Sequence, residues 1–184
     1  MVNSQLSKHL KRTFWIKYRN WKHKRILGQC GDNVYIEPEV HIMRYPKKVQ
    51  LGDNMVLKSG ARICPCNENA SISIGSSTTI GYHTYIFASK QVTIGDNCLI
   101  APFVYIVDSD HNIERSQNIN KQGNSTAAIT IGNDVWIASH VCILPGISIG
   151  DGCVVGAGSI VTKSLPPNSI VVGNPSEILA YRTN

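Results

Sequence analysis

Apolar and polar positions along this chain recur on a period of six. Residues 131, 137, 143, 149, 155 and 161 read Ile, Ile, Ile, Ile, Val, Val without a break, and two positions before each stand Ile129, Val135, Val141, Ile147, Cys153 and Ser159. Such a period fits neither a 3.6-residue helix nor a long alternating strand. It fits short straight segments joined by tight turns, in which each apolar residue and the one two before it point the same way. One phrase (apolar, any, Ile or Leu, Gly, two small polar residues) recurs five times, at Val49–Asn54, Ile72–Ser77, Val92–Asn97, Ile129–Asp134 and Ile147–Gly152. The Gly, Asn and Asp of these phrases are expected at corners, where unusual backbone angles are tolerated.

Three segments make one triangular turn of eighteen residues, so the pattern predicts a prism of stacked coils, each burying its apolar residues against the next. The phrases place Leu51, Ile74, Ile94, Ile131 and Ile149 at successive coil starts, with spacings of 23, 20, 37 and 18. The long spacing puts an excursion between Ile106 and Ile129, assigned to 108–128. A weaker phrase at Cys30–Asn33 adds a sixth coil. The predicted organisation is an arm over 1–29, a solenoid over 30–166 and a tail over 167–184.

Charge is unevenly spread. Residues 1–25 hold eight basic side chains and no acid, whereas the rest holds ten basic and twelve acidic; the body therefore gives no case for a nucleic-acid partner. Within the arm, Leu6, Leu10, Phe14, Tyr18 and Trp21 share one arc of a helical wheel. Such an amphipathic helix caps the open edge of the first coil or packs in an oligomer, the favoured reading, or else docks on an anionic membrane surface. Phe14-Trp15-Ile16 is interrupted at once by Lys17, so no signal-peptide core is present. Together with Cys98 and Cys153 on inward positions, this predicts reduced thiols and a cytoplasmic chain; placement at the inner face of the membrane is the weaker suggestion of the basic arm.

Departures from the repeat are where chemistry is expected. His111 opens the polar excursion, next to a strand that holds one end fixed. An imidazole there suits removal of a hydroxyl proton near neutral pH, and Asp108 and Asp110 flank it; a solvated surface histidine reads the same way. His41, His83 and His140 occupy surface or corner positions, and without a His-x-x-x-x-His pair or a carboxylate cluster no metal is expected. No Gly-x-Ser-x-Gly elbow or phosphate loop occurs, and Cys64-Pro-Cys66 has no second pair. Gly156-Ala157-Gly158-Ser159 leaves room for a ligand close to the backbone, with Thr162 and Lys163 following and Arg182 in the tail. Small side chains beside a cation suit a long thin ligand ending in phosphates, although the need of tight coils for glycine explains the same run by itself.

Taken together, Val92–Pro102, His111, Asn133-Asp-Val-Trp136-Ile and Gly156-Ala-Gly-Ser-Ile-Val-Thr-Lys163 resemble the hexapeptide-repeat acyltransferases. The likeness is to the branch of galactoside, maltose and polysaccharide O-acetyltransferases and xenobiotic acetyltransferases. It implies an all-β solenoid wound as a left-handed parallel β-helix, and a homotrimer with sites between neighbouring prisms. It further implies acetyl-CoA as co-substrate, with Trp136, Ser139, Ala157, Thr162, Lys163 and Arg182 along its path. By the same resemblance His111 is the base for direct acetyl transfer to a sugar or polysaccharide precursor, without an acyl-enzyme. The galactoside-type enzymes carry an Asn one coil earlier; here Tyr82, His83 and Tyr85 stand in the matching stretch and are the candidate acceptor contacts, alongside Asp108 and Asp110. Transfer to an amine of an aminosugar or xenobiotic, zinc-dependent carbonic-anhydrase-like chemistry and a non-catalytic solenoid are the alternatives.

Overall fold

A computed structural model describes residues 13–183, and over that range the six-residue pattern becomes a left-handed parallel β-helix. Six coils stack on three faces. The first face runs from Gln29–Cys30 to Ser148–Ile149, and the third from His41–Ile42 to Ile160–Val161. The second runs from Tyr35–Ile36 to Val154–Val155 and is extended by a hairpin of Ser169–Gly173 and Ser176–Tyr181. Leu51, Ile74, Ile94, Ile131 and Ile149 lie directly opposite one another down the first face, the register the phrases predict.

Both inward sets are sealed. The six residues from Ile131 to Val161 are at most 2% exposed, and the six two positions earlier at most 5%. Removing one branched side chain from water contributes about 1.5–3 kcal/mol. Since each coil touches only its neighbours, that gain accrues coil by coil. The inward polar positions are satisfied: Cys98 and Cys153 donate their thiols to the carbonyls of Gly132 and Pro166, each at 3.1 Å, and Ser159 Oγ accepts Gly173 N–H at 3.1 Å. All six cysteines are free.

The corners divide the labour differently from the sequence expectation. The glycine at the fourth position of each phrase does not take a left-handed angle; that angle falls two residues later, on Asn54, Ser77, Asn97, Asp134 and Gly152, with φ of 54–59° at the first four and 70° at Gly152. The glycine is needed because coils approach too closely for a side chain: a Cβ on Gly75 would lie 2.6 Å from the carbonyl carbon of Gly95. Beside it, a ladder of side chains ties coil to coil, with Asp53, Asp96, Asn133 and Asp151 each accepting a backbone N–H from the coil before at 2.6–2.9 Å.

Register shows where extra residues are admitted. Each step from first to second face and from second to third stays at six residues, as in 74, 80, 86 and 94, 100, 106. Every excess falls at the corner from the third face back to the first. There the excursion is not an open loop but a ribbon: Ser109–His111 pairs antiparallel with Asn124–Thr126.

At the other end, helix α1 (Phe14–Ile26) lies on the first coil. Its Arg19 donates to Ile36 O at 3.1 Å, and Asn20 accepts Ile36 N–H at 3.3 Å while donating to Val34 O. These are edge groups that no further coil pairs, so their partners must be polar. Leu6 and Leu10 lie outside the described residues. No helix among the described residues is long and apolar enough to cross a membrane.

Candidate active site

Each strand's outward position decides what its face shows to a ligand. On the first face these positions are Gln29, Gln50, Ser73, Thr93, Thr130 and Ser148, a polar column. On the second they include Leu99 and Trp136, and on the third Arg62, Tyr85, Tyr105 and Cys142. Two faces thus carry apolar groups outward, and the ridge between them adds Tyr82 and Phe103, both exposed.

On the second face Tyr82, Leu99, Pro102 and Trp136 line a shallow pocket of about 230 Å³. Lys58 sits over the Tyr82 ring at 5.6 Å and is itself paired to Glu37 at 2.9 Å. Along the ridge, His83, Phe103 and His140 stack at 5.4 and 4.9 Å, all in left-handed backbone. Further down the same ridge come Ser139, whose carbonyl accepts Gly158 N–H at 2.9 Å, and exposed Ala157. The Gly158 position has open space: a Cβ there meets nothing within 4 Å, whereas one at Gly81, at another coil's turn, would lie 2.5 Å from a backbone carbon.

The third face holds an aromatic cluster. Tyr85 stacks with Phe87 at 5.9 Å, Tyr105 leans on both at 6.5 Å, and the Arg62 guanidinium lies 5.3 Å above the Tyr85 ring. Burial first, then Cys142 and Asp110, pushes the Tyr105 phenol upward, so it remains a neutral donor at pH 7. At this face's far edge lie exposed Thr162 and Lys163 and the root of the ribbon bearing His111.

Asp108 does not flank the imidazole. It is fully buried, and its carboxylate accepts N–H groups of Ser89, Lys90 and Gln91 at 2.6, 2.8 and 2.7 Å. Its own carbonyl accepts Ala127 N–H at 2.9 Å, so it clamps both ends of the ribbon. Asp110 and His111 are adjacent in a strand and leave opposite sides of it. Neither aspartate is bonded to the histidine, which is exposed. Arg182 is held at a different corner, pairing Asp134 at 2.9 Å and donating to Gly152 O at 3.0 Å. One chain therefore keeps Trp136 and Tyr82 on one face and His111, Thr162 and Lys163 at the edge of another.

Arg62, Phe87, Tyr105 and Lys58 were not among the sequence candidates. Their signal was the outward position itself: Tyr or Arg where the first face carries Ser, Thr or Gln. Among the cysteines, Cys64 and Cys66 bring their sulfurs within 3.9 Å, and burial, then Cys66, pushes the Cys64 thiol up to about 11. It is a protonated thiol at neutral pH, unlike an activated nucleophile. The described residues contain no group of three or more His, Cys, Asp or Glu side chains arranged to hold a metal.

Comparison with known proteins places this architecture. The family model for bacterial transferase hexapeptide repeats matches residues 128–163. Galactoside O-acetyltransferase of Escherichia coli (strain K12) is 35% identical over 156 residues, 85% of this chain and 64% of the relative's own length. WbbJ of Escherichia coli (strain K12), named as a lipopolysaccharide biosynthesis O-acetyl transferase, is 30% identical over 75% of this chain and 77% of its own. A galactoside acetyltransferase solved in complex with coenzyme A superposes with a TM-score of 0.65 and 32% identity, over 93% of this chain and 73% of that one. The chain belongs to the hexapeptide-repeat acetyltransferases.

Proposed function

We propose that this protein transfers an acetyl group from acetyl-CoA to a hydroxyl of a sugar, free or within a polysaccharide precursor, with His111 as general base. The observation that carries the reading is the ribbon: a family member whose one histidine on the excursion stands exposed on paired strands clamped into the prism by a buried carboxylate. That anchoring gives the fixed geometry a general base requires.

The remaining candidates fit roles around it. The open space at Gly158, flanked by Ser139 and Ala157, admits a pantetheine-like chain against the backbone, while the exposed ammonium of Lys163 suits a phosphate as a charge-assisted partner. Deprotonating the acceptor hydroxyl at His111 Nε2 or Nδ1 lets the oxygen attack the thioester carbonyl. The thiol leaves with a proton, and no acyl-enzyme forms. His111 and Trp136 lie on different faces, and the outward apolar groups occupy the second and third faces but not the first. Both features support a homotrimer in which one copy's second face meets the next copy's third, completing each site from two chains. Tyr82, Tyr85 and Asp110 then line the acceptor side.

Acetyl transfer to a panel of galactosides, maltose-type glucosides, aminosugars and polysaccharide fragments tests this, following free thiol release. His111→Ala is expected to lower kcat by about 10²–10⁴ with KM for acetyl-CoA unchanged. Thiol release equal to wild type in that variant removes His111 from the mechanism.

A further inference from the structure

Helix α1 turns to solvent the aromatic arc that a purely apolar cap would lay on the first coil. Ile16, Arg19, Asn20, His23 and Ile26, spaced for one helix face, are half-buried on the first coil. The opposite face carries Phe14, Tyr18, Trp21 and Arg25, at i, i+4, i+7 and i+11, with Trp15 beside them. Phe14 is 73% exposed, Trp15 69%, Tyr18 51% and Trp21 49%. These rings are organised: Tyr18 stacks on Trp21 at 5.9 Å, and the Arg25 guanidinium lies 3.9 Å over the Trp21 ring. Lys17 and Lys22 flank the stripe, both exposed.

Four large aromatics turned to water on a docked helix form an apolar patch of the kind that marks an interaction surface. Its composition specifies the partner. Tyr and Trp, apolar with one polar atom, favour the headgroup boundary of a bilayer. Lys and Arg beside them gain about 1 kcal/mol each at an anionic lipid surface. Residues 1–25 contain no carboxylate, and Asp32 of the first coil, the acid against the helix, is paired to Lys24 at 2.8 Å rather than to the Lys and Arg of the stripe. Lys on both margins of the stripe gives it the positive charge that an anionic headgroup layer complements. Helix packing onto the prism is meanwhile satisfied by Arg19 and Asn20 through the coil edge, so the aromatic face is free of that task.

We propose that the outward face of α1, Phe14, Tyr18 and Trp21 flanked by Lys17, Lys22 and Arg25, seats the protein on an anionic lipid bilayer, with the helix lying in the interface plane. This does not rest on the acetyl-transfer reading, and its test needs no substrate.

The full chain is sedimented with phosphatidylcholine vesicles containing about 30% phosphatidylglycerol and with pure phosphatidylcholine vesicles. Binding to the anionic vesicles, at least tenfold stronger than to the neutral ones and weakened by salt, is expected. A Phe14→Ser, Tyr18→Ser, Trp21→Ser variant and a Lys17→Glu, Lys22→Glu variant should each lose at least tenfold in partitioning, with thermal midpoints unchanged because all five side chains are exposed. Equal binding to both vesicle types, or undiminished binding by the triple serine variant, overturns the proposal. So does a fall in the solution mass of that variant, which would make the stripe a contact between copies of the chain.

Discussion

Asp108→Asn isolates what holds the His111 ribbon in place. The carboxylate meets three backbone N–H donors: Ser89 on one oxygen, Lys90 and Gln91 on the other. An asparagine has one oxygen, so at best it keeps the Lys90 and Gln91 bonds while its own NH₂ faces the Ser89 N–H. Each hydrogen bond to a charged group is worth about 1.5–3 kcal/mol net, and a donor left buried without a partner costs about 1–3 kcal/mol. Losing one bond outright and the charge from two others predicts destabilisation of about 2–5 kcal/mol. For a chain of this length that corresponds to a fall in thermal midpoint of about 5–15 °C. Circular dichroism melts read the global effect, and amide hydrogen exchange over 109–111 and 124–126 reads the local one; both should fall together. Activity should drop as well although His111 is intact. A variant melting within about 2 °C of wild type, with ribbon amides equally protected, would refute the assignment of Asp108 as the clamp.

Two further predictions follow from the geometry. Gly158→Asn, which tolerates the left-handed angle, should leave the melt nearly unchanged but raise KM for acetyl-CoA about tenfold, about 1.4 kcal/mol; Gly81→Ala, pressed against backbone, should instead cost about 1–3 kcal/mol of stability. A Gly158→Asn enzyme with unaltered KM would take that ridge out of the CoA path. His23 is the second case: burial, then Lys22 and Arg19, holds its pKa below 6.5. Its neutral form is therefore favoured in the docked helix, giving stability that is present above pH 6.5 and lost as pH falls through the lowered value. Exchange protection of residues 14–26 should weaken on acidification in wild type and not in His23→Gln; equal protection at pH 5 and 8 in wild type would sink this.

The repeat was legible because inward positions obey a rule with no exceptions: branched residues at 131 to 161 and small or branched ones two before. Insertions were legible in length and, for the longest, in place. Asp108 was not. Beside His111 it reads as a catalytic partner, and its real task depends on the two-residue excess one coil earlier. That excess leaves the N–H groups of Ser89–Gln91 without strand partners until the carboxylate supplies acceptors. The wheel of α1 likewise shows an aromatic arc but not which side docks. The open edge of the first coil decides that, since its unpaired Val34 and Ile36 groups require Asn20 and Arg19 rather than rings. The outward column was readable in principle, because Tyr105 and Trp136 stand where Thr130 and Ser148 stand on the first face.

Confining every surplus residue to a single corner has an evolutionary corollary. Two edges of the spring are metronomic, and a length change there would shift each later side chain off its column. The remaining edge is a splice point at which segments from two to nineteen residues over the norm have been accepted without disturbing the windings beyond. A new surface can be trialled by exchanging that one insert, leaving the rest of the spring untouched.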